Sequence, residues 1–142
     1  RPDEKRLSER VKRWGKIAKE ALKQSKRGRM MEIGEPGSFE EAIMLGEEHD
    51  LKIAFWEREF APINSELQPK SDSNFKNIFL LLGPEGGFTS EEIAKARAGG
   101  FITAALGPRI LRAETATLAA CTLVQYLFGD MGQKNLDKDS VL

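Results

Sequence analysis

The sequence predicts an α/β protein built on a parallel sheet that helices cover on both faces. Three apolar runs of strand length, at residues 51–56, 78–82 and 101–106, are separated by segments with helical spacing or loop composition. Parallel neighbours need a crossover connection, and a helix between successive strands supplies one. The chain has 142 residues, 40% of them hydrophobic, which is enough for one domain with a buried core.

The composition excludes several classes of protein. A single cysteine rules out an internal disulfide, and with a single histidine it argues against a Cys/His zinc site, so we expect no metal. A Ser-His-Asp triad would have to use His49, which lies in a polar stretch without a nucleophile motif nearby. The longest apolar run, residues 78–82, is too short to span a membrane.

The first residues, 1–4, read Arg-Pro-Asp-Glu and are not followed by an apolar segment, which argues against a signal peptide. They do not begin with Met, which indicates a fragment. Together with the lack of disulfides, these features favour a cytoplasmic protein.

Residues 1–29 form a basic head that the spacing predicts to be a helix ended at Gly28. They carry twelve Lys/Arg and four Asp/Glu, a net charge of +8, and the remaining residues carry −8. One face is apolar and places Trp14 in the core: Leu7, Val11, Trp14, Ala18 and Leu22. The opposite face is basic: Lys12, Lys16, Lys19, Lys23 and Lys26. This basic face is either the solvated side of a packed helix or a surface for phosphates, and both can be true at once.

The middle of the chain begins with a short strand predicted at residues 30–33, followed by a turn. Ser38 and Glu41 have the spacing of a capping box, which predicts a helix start. Its buried side would hold Phe39, Ala42, Ile43 and Leu45. In the strand at 51–56, Phe55 and Trp56 are expected in the core or at a dimer contact. Residues 61–77 have loop composition.

The second half alternates strands and helices. The fully apolar run at 78–82 predicts a buried parallel strand. Thr89 and Glu92 form a second capping box, for a helix that stops at Gly99-Gly100. A strand at 101–106 precedes a helix at 114–128. The predicted buried stripe of that helix is Leu118, Cys121, Val124, Leu127 and Phe128.

Two glycine-bearing corners follow the last two strands. The first reads Leu-Gly-Pro-Glu-Gly-Gly-Phe-Thr (82–89), and the second reads Leu-Gly-Pro-Arg-Ile-Leu-Arg-Ala-Glu-Thr-Ala (106–116). In an open parallel sheet, ligands bind beyond the carboxyl ends of the strands, where both corners would lie. Gly86 and Gly87 allow the backbone to approach a ligand closely. Neither Gly-Lys-Ser/Thr nor G-x-G-x-x-G occurs, which excludes a P-loop and the usual dinucleotide fingerprint.

The two corners resemble the signature motifs of the RsmE family, SPOUT-class methyltransferases that modify N3 of a uridine in 16S ribosomal RNA. The resemblance continues in the head, where it includes Arg13-Trp14-Gly15-Lys16-Ile17-Ala18, so that it covers about residues 5–130. Ala113 departs from it, since the family usually has Thr there. We therefore expect residues 1–130 to be a SPOUT methyltransferase domain without its first strand and helix and without the family's preceding PUA-like barrel. Residues 131–142 are expected to be a polar tail.

The resemblance implies a trefoil-knotted α/β fold, S-adenosylmethionine as the methyl donor, and a homodimer. It implies 16S ribosomal RNA or the small ribosomal subunit as the partner. Glu57 matches a family Glu at the rim of the cofactor site. The implied cofactor-binding residues are Leu82, Gly83, Pro84, Glu85, Gly86, Gly87, Leu106, Gly107, Ile110, Leu111, Thr115 and Ala116.

Methyl transfer to N3 of uracil requires the loss of a proton. Arg112 or Arg109 would stabilise the uracil anion or hold an RNA phosphate, but arginine is not a base. Glu114 or a water molecule is the candidate proton acceptor. In a purely structural alternative, the two arginines pair with Glu114 or Glu85. Two other functions stay open: a SPOUT methyltransferase acting on a ribose 2′-hydroxyl, and a non-catalytic RNA-binding fragment.

Overall fold

The computed structural model of the chain describes residues 4–26, 28–59 and 75–131. The chain forms two compact units, Arg1–Ser38 and Phe39–Leu142. The first contains one long helix, and the second contains the sheet and the remaining helices. Most of the predicted loop at 61–77 and nearly all of the predicted polar tail lie outside the described residues.

Helix α1 (Glu4–Ser25) is amphipathic, as its sequence predicts. Ala18 is buried on the apolar face. Trp14 is 44% exposed, however, so its predicted place in the core was wrong. The helix ends at Ser25, before Gly28, because Lys26 already adopts a left-handed φ of 54° that interrupts the helical hydrogen bonds.

Residues 30–33 do not form a strand, so that prediction was wrong. Met30 and Met31 are exposed. Their short apolar run has strand propensity, but strand backbone needs a neighbouring strand to pair with. Within the described residues the sheet has three strands, all of them in the second unit.

The second unit is built on a parallel sheet of strands β1 (Leu51–Phe55), β2 (Ile78–Leu82) and β3 (Ile102–Ala104). The order β2-β1-β3 makes β1 the central strand. β1 ends one residue before its predicted end, and β3 is shorter than the predicted 101–106. β2 matches its predicted bounds but is an edge strand and mostly half-buried, so the expectation of a fully buried strand was wrong.

One face of the sheet packs against helix α4 (Ala113–Phe128). Ile53 and Phe55 of β1 share a core cluster with Ala120 and Val124 of the helix. The predicted stripe was wrong at two positions, since Leu118 is 71% exposed and Cys121 is also exposed. The helix contacts the sheet along the line that contains the fully buried Ala120, whose small side chain allows close packing. The buried stripe is therefore shifted away from Leu118 and Cys121.

The other face packs against helices α2 (Phe39–Leu45) and α3 (Ser90–Ala98). The capping box of Thr89 and Glu92 is present at the start of α3, as predicted, and the helix ends before Gly99. On α2, Leu45 is 68% exposed, so its predicted burial was wrong. A 3₁₀ turn at Gly46–Glu48 follows Leu45 and turns the chain away from the helical line.

The structure confirms a mixed α/β fold with a parallel sheet flanked by helices. The trefoil knot stays a prediction. Among the helices of the described ranges, none is both long and apolar enough to cross a membrane.

Candidate functional site

The carboxyl ends of the three strands lie level at one edge of the sheet. Phe55, the last residue of β1, pairs with Leu82 on one side and with Ala104 on the other. The segments that follow the strands therefore start side by side. In parallel sheets this edge is where ligands bind.

The first corner, residues 83–89, is a tight turn. The Gly87 N–H donates to the Pro84 carbonyl at 2.8 Å, and Gly87 has a φ of 71°, which favours glycine. A Cβ on Gly83 would lie 3.2 Å from backbone atoms of Gly87 and Phe88, so the corner folds closely onto itself. At Gly86 a Cβ would meet nothing within 4 Å, so the turn leaves open space there.

Glu57 follows the central strand and contacts this corner. A Cβ on Gly87 would collide with the Glu57 carboxylate, so only glycine leaves room for that carboxylate in its present position. The absent side chain at residue 87 thus accommodates the carboxylate of Glu57, two residues after the end of β1.

The second corner, residues 106–116, includes the first turn of α4. Gly107 has a φ of 111°, and a Cβ there would meet no other group within 4 Å. Ile110 is 82% exposed, an unusual position for a large apolar side chain beside an open space. Arg112 precedes the helix in an extended conformation, and its carbonyl accepts the Ala116 N–H at 2.8 Å.

The two corners and the end of β1 enclose a cavity of about 200 Å³. Its walls are mostly glycine and apolar side chains. Its ionisable lining residues are Glu57, Glu85 and Arg109. A cavity with apolar walls and few charged groups is typical of a small-molecule site.

Eleven of the twelve residues predicted to bind a cofactor line this cavity, and Thr115 does not. Of the catalytic candidates, Arg109 lines it, whereas Arg112 and Glu114 do not. The binding and catalytic roles of all these residues stay predictions. The structural alternative for the arginines is not realised, since no ion pair among the described residues joins Arg109 or Arg112 to either glutamate.

Sequence reasoning missed Phe55, Trp56 and Ala113 as lining residues. Phe55 is buried in the core as expected, yet it also reaches the cavity. One signal was present in the sequence: Trp56 and Glu57 follow their strand as directly as the glycine corners follow theirs. This signal indicates a place in the cavity only if β1 is the central strand, which the sequence does not reveal.

The single histidine lies away from this site. His49 precedes β1, at the opposite end of the strand, and its ring packs edge-on against Phe79 with 5.0 Å between centroids. A triad centred on His49 at the cavity is therefore excluded. Across residues 4–26, 28–59 and 75–131, no three His, Cys, Asp or Glu side chains are grouped to hold a metal ion.

A family model described as an RNA methyltransferase domain matches residues 1–125. The chain therefore belongs to the RNA methyltransferase domain family.

Two of its relatives share one name. The chain is 34% identical over 132 residues to ribosomal RNA small subunit methyltransferase E of Bacillus subtilis (strain 168), covering 87% of this chain and 50% of the relative. It is 36% identical over 124 residues to the protein of the same name from Buchnera aphidicola subsp. Acyrthosiphon pisum (strain APS), covering 87% and 47%. These matches confirm the resemblance to the RsmE family. The chain spans about half the length of the curated relatives it matches.

A solved structure of a relative has a similar fold. The crystal structure of ribosomal RNA small subunit methyltransferase E from Neisseria gonorrhoeae, bound to S-adenosyl methionine, has a TM-score of 0.69 and 33% identity to this chain. The match covers 89% of this chain and 51% of that one.

Proposed function

We propose that this chain is the methyltransferase part of an enzyme that uses S-adenosylmethionine to methylate N3 of a uridine in 16S ribosomal RNA. The observation that carries the proposal is the cavity at the carboxyl edge of the sheet, lined by both signature corners. The relatives' name and the S-adenosyl methionine in the Neisseria gonorrhoeae structure support the choice of cofactor and substrate.

The residues of the cavity fit this cofactor. Gly83 and Gly87 bring backbone close together at the first corner, and Gly86 and Gly107 border open space. The exposed Ile110 supplies an apolar surface that a nucleoside would cover. S-adenosylmethionine, when bound, supplies a methyl group on a sulfonium.

The chain's residues would act mainly by placing the reactants and excluding water, since an in-line methyl displacement needs little covalent help. Arg109 lines the cavity and would stabilise negative charge on the uracil as its N3 proton leaves. Arg112, which directly precedes α4 and lies outside the lining, would hold an RNA phosphate.

The proton acceptor is best sought among the carboxylates of the lining. Glu114 lies in the first turn of α4 outside the lining, whereas Glu57 and Glu85 are part of it. We therefore add Glu57 and Glu85 to the sequence-based candidate Glu114. Replacement of each by glutamine, with kcat measured against pH, separates them: the acceptor's variant loses turnover while retaining cofactor binding.

The RNA would reach the basic face of α1. Lys12, Lys16, Lys19 and Lys23 are exposed and lie within one third of the helix circumference, over about 16 Å of its axis. Within the part of the chain that the structure describes, Lys23 is the one lysine of this row that pairs with an acidic side chain, since its Nζ lies 2.8 Å from Glu20 Oε1, and both side chains are exposed. Such a row of lysines suits a phosphate backbone.

Charge reversal tests this contact. Lys12→Glu with Lys16→Glu should weaken RNA binding and reduce its salt dependence by about two phosphate contacts, without changing cofactor affinity. A control with the same change of charge is Arg6→Glu with Arg10→Glu, at two exposed arginines on another face of α1. Equal loss in both double variants would contradict a specific role for the lysine face of α1.

We also propose a homodimer in a cytoplasmic, ribosome-associated setting. The exposed Leu118 and Tyr126 of α4 give an apolar surface that a second copy would cover. Light scattering of Leu118→Glu against wild type tests this, because a dimer using this surface should dissociate.

Calorimetric titration with S-adenosylmethionine tests the central proposal. Wild type should bind, and Gly86→Leu should not, because its side chain would fill the open space at the first corner. Arg112→Ala should still bind the cofactor and lose activity on RNA.

Reverse transcription of treated 16S RNA should stop at the modified uridine, since N3 methylation blocks base pairing. A product that reverse transcriptase reads through and that is methylated on ribose would instead indicate a 2′-hydroxyl methyltransferase.

A further inference from the structure

Trp56 occupies the junction between the sheet and the first corner. Its backbone N–H donates to the Ala104 carbonyl at 3.0 Å, which fixes it to the end of β3. Its indole Nε1–H donates to the Phe88 carbonyl at 3.2 Å, directly after Gly86-Gly87. The same side chain lines the cavity. Trp56 thus connects the ends of β1 and β3 to the first corner, which follows β2.

A charged side chain of helix α3 lies over the Trp56 indole. The Arg97 guanidinium of α3 lies 5.9 Å from the centre of the Trp56 ring, within cation–π range. Arg97 Nη2 also donates to Glu59 Oε2 at 2.7 Å and to Thr103 Oγ1 at 2.8 Å. The Thr103 hydroxyl donates to Glu59 Oε2 at 2.6 Å, which closes a triangle of hydrogen bonds.

Two of the three residues in this triangle are largely shielded from solvent. Thr103 is 8% exposed, and the Glu59 side chain is 17% exposed. Hydrogen bonds to charged groups in such surroundings are stronger than those at an open surface. Arg97 is therefore fixed on the side facing Trp56, although about half of its side chain is exposed.

We propose that Trp56 is a positioning residue for the methyl donor. Its hydrogen bond to the Phe88 carbonyl fixes the position of the first corner. Arg97, which Glu59 and Thr103 hold in place, in turn fixes the position of the Trp56 indole. This inference rests on the proposed function, since the donor is S-adenosylmethionine. The corner needs such a tether because glycines alone do not restrict its backbone. Loss of the indole donor would leave the Phe88 carbonyl unpaired and let the corner move.

The test uses Trp56→Phe, which keeps an aromatic ring and removes the N–H donor. The expected result is a rise in Kd for S-adenosylmethionine of about five- to tenfold, the usual effect of one hydrogen bond. In turnover assays KM for the donor should rise while kcat at saturating donor stays within about twofold. Trp14→Phe, at the other tryptophan of the chain, should change neither quantity.

The polar triangle supplies a second test that does not alter the cavity wall. Thr103→Val keeps the side-chain volume and removes the hydroxyl, and should raise Kd in the same direction by about threefold. Thr103→Ser keeps the hydroxyl and should bind like wild type. In the Trp14→Phe protein, Trp56 is the sole tryptophan, so its fluorescence should change as the donor is added.

The outcomes are separable. A folded Trp56→Phe protein that binds the donor within twofold of wild type would overturn the inference and leave the proposed function intact. If Trp56→Phe does not fold, equal binding by Thr103→Val and Thr103→Ser, with unchanged Trp56 fluorescence, would overturn it equally. A wild-type chain that does not bind S-adenosylmethionine would overturn the proposed function and this inference together.

Discussion

Replacing Gly87 with alanine should destabilise the folded chain, because Gly87 adopts a φ of 71° in the first corner. A residue with a Cβ costs about 1–2 kcal/mol in that left-handed region. Alanine also restricts the unfolded chain, which offsets about 0.4–1 kcal/mol. The new Cβ would collide with the Glu57 carboxylate, but this is the end of a flexible side chain that can rotate away.

The net destabilisation should therefore be about 1 kcal/mol, which corresponds to a fall in melting temperature of about 3–6 °C for a chain of this size. Calorimetric or urea unfolding measures it. Gly86→Ala is the matched control, since a Cβ at that neighbouring residue meets nothing within 4 Å and its φ is not positive. It should leave stability within about 0.5 kcal/mol of wild type.

A double-mutant cycle with Glu57→Ala separates the two causes. If backbone conformation dominates, the coupling between the Glu57 and Gly87 substitutions should stay below about 0.5 kcal/mol. A Gly87→Ala protein as stable as Gly86→Ala would refute the reasoning, since neither the conformation nor the contact would then carry a cost.

Three further predictions concern the rest of the second unit. Thr89→Ala should cost about 1 kcal/mol in urea unfolding, because it removes the capping box with Glu92, whereas Thr89→Ser should not. The Asp50 carboxylate accepts backbone N–H groups of Asn77 and Lys76, which lowers its pKa below the ordinary 3.8. The Asp50 carboxylate stabilises the folded chain at pH values above its ordinary pKa, and this stabilisation is lost as the pH falls through the lowered pKa of the folded state. Asp50→Asn should therefore be less stable than wild type at pH 7 and equally stable in strong acid. Ala120→Leu should lower the free energy of unfolding by about 1–3 kcal/mol, because Ala120 is fully buried between α4 and the sheet, whereas the same substitution at the exposed Ala94 of α3 should change the unfolding curve little.

Much of the second unit could be predicted from local sequence. The runs that became β1 and β2 are apolar and bounded by turn residues, and the Thr89–Glu92 spacing marks the start of α3 without ambiguity. These features depend on residues within a few positions of each other. Local propensity is sufficient where tertiary packing agrees with it.

The errors share a different origin. The exposure of Cys121 and Leu118 depends on which line of α4 meets the sheet, and several lines on that helix are apolar enough to do so. The absent strand at 30–33 depends on whether a partner strand exists. Neither property can be predicted from the segment alone, because both depend on contacts with residues far away in the chain.

The candidate site was found because its residues are clustered in sequence, within two corners. What the sequence did not show is that β1 lies between them and so contributes Phe55 and Trp56 to the cavity, beside the Glu57 that the family resemblance had indicated. A site formed by three strand ends is predictable only for those ends that carry unusual residues.

The level ends of the three strands have a consequence for measurement. The cavity walls come from segments that are far apart along the chain and adjacent only when β1, β2 and β3 are paired, so an unfolded chain has no site to offer. A ligand of the cavity is therefore linked to the folding equilibrium of the whole unit, and at one hundred times its Kd it should add about 2.7 kcal/mol to the free energy of unfolding. A thermal shift assay with candidate ligands would thus report occupancy of this site without any knowledge of the RNA substrate.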